Sequence, residues 1–246
     1  MGDEIEMFAA DDGYDVYDDG YVIIDPFTFP FYWFGVNYGI PEDNSKTIYF
    51  TTNSILSFGP IDFTLYGDFV SSISFNGIYI GTKDRSYNKG YQYNPIFYNG
   101  YHIKKIKVNL SHYRIQRLDD FEIEIRFICN PDLKTQYIEI KILKLNDDAN
   151  SASNVWGLKY SNENDLYFFE NFKEKSNWTS PAVNTIYVLE SNENGDNWTL
   201  LSSTTDIDTI INQNQYISNI QPTNIAGPVN LVRPIYTAKS IKTTYP

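Results

Sequence analysis

Strict alternation of apolar and polar side chains over residues 121–128 constrains this chain more than any other feature. In Phe121-Glu122-Ile123-Glu124-Ile125-Arg126-Phe127-Ile128, Phe121, Ile123, Ile125 and Phe127 share one face, and Glu122, Glu124 and Arg126 share the other. A period of two matches the pleat of a half-buried strand and builds no apolar stripe on a helix. Asn130-Pro131-Asp132 breaks the pattern and Ile138-Glu139-Ile140-Lys141-Ile142 resumes it, so residues 121–145 are expected to form an antiparallel hairpin. The apolar phase slips at Ile142-Leu143-Lys144-Leu145, which predicts a bulge or a frayed end.

A second hairpin is expected where Thr185-Ile186-Tyr187-Val188-Leu189-Glu190 and Trp198-Thr199-Leu200-Leu201 flank Asn194-Gly195, a tight-turn signal. Further short β-rich runs fall at 21–24, 27–34, 47–52, 54–58, 68–75, 77–81, 101–110, 154–160 and 165–169. No sustained helical period accompanies them. With 21 Tyr and 16 Phe suited to pleated, half-buried surfaces, the expected class is all-β, an antiparallel β-sandwich with extended N- and C-terminal arms. The expected division is an acidic arm over 1–20, the sandwich over 21–205, and an extended arm over 206–246. That last stretch lacks alternation and contains Pro222, Pro228, Pro234 and Pro246.

Charge is unevenly placed. Residues 1–45 contain eleven acids and no Lys or Arg, so nearly all of the net charge of −12 sits there. Such a segment repels nucleic acid. Tyr101 to Arg117 is the opposite case, with five bases and no acid. Its Ile103, Ile106, Val108 and Leu110 read as a strand rather than a nucleic-acid track. The sequence therefore suggests electrostatic docking: Asp11, Asp12, Asp15, Asp18 and Asp19 lie against Lys104, Lys105, Lys107, Arg114 and Arg117 of the same or a neighbouring subunit. These ten are the candidate subunit-contact residues.

Several chemistries have no support. One Cys and two His leave little for disulfides, zinc or histidine catalysis. Ser111-His112 lies in no nucleophile-elbow motif, and phosphate-binding glycine loops are missing. Asp11-Asp12-Gly13-Tyr14 recurs at Asp18-Asp19-Gly20-Tyr21, but the ligand order of a calcium-binding EF-hand loop is not there. No catalytic, cofactor or metal residue is assigned, and no cofactor is expected. The Asn-x-Ser/Thr sites at Asn109, Asn177 and Asn197 are about as many as chance supplies. No export signal or lipid-anchor motif opens the chain, and no apolar run approaches the ~20 residues of a membrane helix. The aromatic cluster Phe27, Phe29, Phe31, Tyr32, Trp33 and Phe34, with Trp156, Trp178 and Trp198, is expected in the core or at a subunit interface, with stacking on sugar rings as the rival role.

Asp25-Pro26-Phe27-Thr28-Phe29-Pro30-Phe31-Tyr32-Trp33-Phe34-Gly35, followed by Ile48-Tyr49-Phe50-Thr51-Thr52-Asn53-Ser54-Ile55-Leu56-Ser57-Phe58-Gly59, resembles the opening of nidogen-type β-sandwich modules and similar segments of virion proteins from bacteriophages and algal or giant viruses. Ser54 stands where those segments carry Gly. The loop after Ile78-Tyr79-Ile80 and the hairpin from Phe121 to Leu145 resemble later parts of the same plan, covering about residues 21–203. The absence of cysteine pairs and of a signal peptide suits a virus particle better than an animal matrix. The resemblance implies a non-enzymatic virion structural protein, a minor capsid or tail component. Its partners would be other virion subunits, including copies of itself, with no nucleic acid and no membrane, and it would be assembled in the host cytoplasm. The alternatives are a host-recognition or glycan-binding module, marked by exposed aromatics lining a groove, and a hydrolase with two carboxylates in one cleft.

Overall fold

A computed structural model describes residues 3–8, 20–40, 46–59, 76–81, 85–112, 119–145, 156–159, 167–168, 183–201, 207–218, 234–237 and 240–243. These form strands β1 (Glu4–Met7), β2 (Tyr21–Ile24), β3 (Tyr32–Trp33), β4 (Val36–Asn37), β5 (Ile48–Thr51), β6 (Ile55–Phe58), β7 (Gly77–Ile80), β8 (Arg85–Tyr98), β9 (Tyr101–His112), β10 (Asp119–Asn130), β11 (Thr135–Leu145), β12 (Trp156–Lys159), β13 (Tyr167–Phe168), β14 (Ile186–Asn192), β15 (Thr199–Leu200), β16 (Pro234–Thr237) and β17 (Ser240–Thr243), with one helix, α1 (Ile207–Ser218). The protein is all-β, and every pairing among the described strands is antiparallel.

Two sheets dominate. One runs β1-β8-β9-β10-β11-β14-β15 and the other β13-β12-β7-β6-β5-β2. The alternation in β10 becomes Phe121↔Leu145 through Asn130↔Thr135 against β11, with a register shift between Glu122 and Ile123 that leaves Leu143 as the extra residue. The expected bulge is therefore where the apolar phase slips. The second expected hairpin forms as β14 and β15, with Gly195 at a φ of 64° in its turn. Ser54, between β5 and β6, adopts a φ of 62°, the left-handed conformation that glycine enters without a Cβ penalty.

Both sheets contribute to one buried apolar cluster. Ile106, Val108, Phe121, Ile123, Ile125, Ile138 and Ile140 come from the first, and Val22, Phe50, Leu56, Phe58, Ile78 and Leu158 from the second. The aromatic segment 25–39 ties them together, as the expected core role requires. Phe27 and Phe31 pack on Phe127 of β10, while Trp33 stacks flat on Phe58 of β6 at 4.3 Å between ring centroids. Backbone N–H groups of this segment donate to the side-chain oxygens of Gln92 and Gln136 and to the carbonyls of Gly195 and Asn194. Those bonds satisfy donors that no ladder reaches. Trp198 is buried in the same layer. Trp178 lies outside the described residues, as does the expected strand at 68–75. Asn109 is buried and bonds to Asn88, so it presents no glycan acceptor.

Three features differ from expectation. β8 begins in the expected loop after Ile80 and runs through residues 87–98, for which no strand was expected. β1 arises within the acidic segment and pairs along β8. Residues 207–218, expected as extended chain, form α1 instead. Ile207, Ile210 and Ile211, spaced three and four apart, place one face of that helix on Tyr101, Ile103, Ile128, Tyr137 and Val188. Among the described residues no helix is long and apolar enough to cross a membrane.

Candidate functional site

Strand parity decides which side chains of the first sheet meet solvent. On β9, Ile106, Val108 and Leu110 point into the shared core, and Lys104 has the same parity. Lys104 is 1% exposed, and its Nζ donates to Gln92 Oε1 at 3.0 Å. Burial lowers its pKa from the ordinary lysine value, with nearby Asp25 opposing that shift. Lys104 is thus not available to another subunit as the sequence suggested, because the inward face claims it. Lys105 and Lys107 point outward.

On that outer face the charges pair across strands. Lys105 contacts Glu124 at 3.4 Å and lies over the Tyr93 ring at 4.0 Å, while Lys107 pairs with Glu122. The hydrogen bond to Glu122 raises the pKa of Lys107. Arg126 donates through Nε and Nη2 to the two oxygens of Glu139, and through Nη1 to Asp208 of α1 at 2.7 Å. Burial works against the charge of Arg126, but Asp208 and Glu139 outweigh it and hold its pKa above the ordinary value. Burial lifts the Glu139 carboxyl, with Arg126 pulling the other way.

Between β8, β9, β10 and the first turns of α1 these groups enclose a cleft of about 340 Å³. Its lining is Tyr93, Asn94, Ile96, Tyr98, Ile103, Lys105, Glu124, Arg126, Asp208 and Ile211. Burial, with the bond to Glu4, pushes the Tyr93 hydroxyl up to about 12, so it stays a neutral donor at neutral pH. Tyr98 is 49% exposed and its neighbour Phe97 64%, at the tip of the β8–β9 hairpin where Asn99-Gly100 turns with positive φ at both residues. An apolar wall facing a charge-balanced floor of donors and acceptors can take a small polyhydroxylated or peptidic group.

Asp11, Asp12, Asp15, Asp18, Asp19, Arg114 and Arg117 lie outside the described residues. Sequence reasoning missed the cleft. Tyr93, Tyr98 and the α1 residues join Lys105 only through the register of β8 on β9 and the docking of the helix. His102 stacks on Phe29 and meets Phe97 at a tilt, and burial lowers its pKa. Burial likewise raises the Cys129 thiol to about 11, well away from a reactive thiolate. Among the described residues no three His, Cys, Asp or Glu side chains converge as a metal site would require. No family model matches the chain, and no curated protein or solved structure matches it.

Proposed function

We propose that this chain is a non-enzymatic virion structural protein, a minor capsid or tail component. In this reading the two sheets pack as a β-sandwich and the terminal segments join neighbouring subunits. The observation that carries it is β1: part of the acidic N-terminal segment completes the first sheet by backbone pairing along β8. Edge addition gives affinity through main-chain bonds and leaves the side chains free to set specificity. The partners are other virion subunits, and the resemblance of residues 21–203 to virion segments points the same way. Immunoblotting of gradient-purified virus particles from the source of the sequence tests this. The chain is expected to band with the particles and to resist a salt wash, and recovery only from the unsedimented fraction would overturn the reading.

The cleft favours a second reading, a surface glycan-binding module, because the exposed Tyr98 offers an aromatic face beside paired charges. Binding of neutral oligosaccharides that disappears in Tyr98→Ala would support it. The hydrolase alternative has less behind it, since Glu124 and Asp208, the two carboxylates in the cleft, are each held by a cation.

A further inference from the structure

The edge of β8 is shaped as a seat for β1. Glu4 to Met7 pair with Tyr93 to Gly90, and the amide of Asn94 extends the ladder to the carbonyl of Asp3 at 3.0 Å. Gly90 makes room for the arm: a Cβ there would stand 2.8 Å from Met7 Cε and 2.9 Å from the Tyr87 hydroxyl. That hydroxyl donates to the carbonyl of Met7, and the Tyr93 hydroxyl donates to Glu4 at 2.7 Å. Met7 is buried in the seat while Glu4, Ile5 and Glu6 stay exposed, so one anchor and the ladder hold the strand.

The connection to the body is long and of one charge. Residues 8–20 hold five aspartates and no base, a composition that self-repels and favours extension. Thirteen residues reach about 45 Å when extended. β1 and the chain after β2 meet at Gln92, since Ile5 lies opposite it and the amide of Asp25 donates to its Oε1 at 3.0 Å. A connection of that reach can deliver β1 to the β8 of an adjacent copy as well as to its own. We infer that the β8 seat is an exchange site: in assembled subunits, residues 4–7 of one copy fill the seat on the next. In dilute solution a tethered strand has an effective concentration on the order of mM, so the closed form dominates there and exchange sets in where subunits are packed at comparable density.

This inference rests on the reading of the chain as an assembly subunit, and a disulfide trap separates the two. Glu6 lies opposite Tyr91, and directly opposed antiparallel residues are within disulfide reach. In a Cys129→Ala background, one full-length chain carries Glu6→Cys and another Tyr91→Cys, so neither can close a bond within itself. Mixed at about millimolar concentration under mild oxidation, they are expected to give a covalent heterodimer at least about tenfold above a pairing of E6C with Asp132→Cys on an exposed turn. Adding Met7→Asp to the E6C chain should abolish the heterodimer without touching the body of its partner. A double variant E6C/Y91C that closes within one chain, while the mixture gives no heterodimer above the control, would overturn exchange and leave particle association standing. A double variant that does not close at all would overturn the seat itself.

Discussion

Arg126 and Glu139 stand directly opposite each other across β10 and β11 and share two hydrogen bonds, Nε to Oε1 at 2.7 Å and Nη2 to Oε2 at 2.8 Å. Glu139 is 2% exposed, so Arg126→Met strands a buried carboxylate and is expected to cost about 3 kcal/mol near neutral pH. The folded-state pKa of Glu139 is already raised by burial, and losing Arg126 raises it further. An acid with a raised folded pKa contributes stability that is complete below its unfolded value and is lost as pH rises through the folded one. Urea titrations should therefore find the penalty of Arg126→Met largest near pH ~7 and smallest near pH ~4. The pair Arg126→Met/Glu139→Leu should recover most of it. A penalty independent of pH would contradict the buried-carboxylate account.

Lys104 offers the opposite sign. Its buried ammonium has one neutral acceptor in Gln92 and a depressed pKa, so Lys104→Met is expected to stabilise the protein by about 1–3 kcal/mol near neutral pH. A lysine with a lowered folded pKa makes the unfolded state bind more protons, and stability climbs as pH approaches the ordinary lysine value. The advantage of Lys104→Met should thus shrink as pH rises to ~10, measured as the difference in urea midpoint between the two proteins.

Two turn glycines should respond differently to alanine. Gly195 has a φ of 64°, and a Cβ there would lie 2.2 Å from the carbonyl oxygen of Tyr32, which is backbone and cannot turn aside. Gly100 has a φ of 84° with nothing closer than 3.7 Å. Gly195→Ala is expected to cost more than about 2 kcal/mol and Gly100→Ala about 1 kcal/mol, read from thermal unfolding. Equal costs would mean that the clamp between segment 32–35 and the β14–β15 turn is not rigid.

Among the described contacts of the helix are the apolar docking of Ile207, Ile210 and Ile211 and the ion pair of Asp208 with Arg126. Ile211→Ala should remove about 2–3 kcal/mol from its docking and strip amide-exchange protection from α1 while leaving β10 protected. Asp208→Asn should loosen the helix by no more than about 1 kcal/mol, because Asp208 is largely exposed. Simultaneous loss of protection in β10 and α1 would show the helix to be integral to the main core.

The parts legible in the sequence were those where burial on one face enforces a period. β10, β11 and the bulge at Leu143 follow from alternation alone, β14 follows from the Asn194-Gly195 turn signal beside an apolar run, and parity along Lys104-Lys105-Ile106-Lys107-Val108 already separates Lys104 from its basic neighbours. β8 was hidden because it carries Asn88, Lys89, Gly90, Asn94 and Pro95. Gly90 is there to admit Met7, and Pro95 falls in the irregularity between Tyr93 and Ile96, beyond the end of β1, where its missing donor costs no ladder bond. β1 reads as acidic chain because three of its four side chains face solvent. Ile207, Ile210 and Ile211 do carry a helical spacing, but Asn, Gln and Thr around them mask it. The cleft needed contacts between residues more than eighty positions apart, which no local pattern encodes.

Membership in a particle is tested most directly by cross-linking mass spectrometry on intact purified virus particles. A structural subunit whose sheet edge and outer face meet its neighbours should give links from Lys89, Lys105 or Lys107 to lysines of other virion proteins, at a fixed ratio to the coat protein across preparations. Links confined to pairs within this chain, or a ratio that falls with each purification step, would contradict that role.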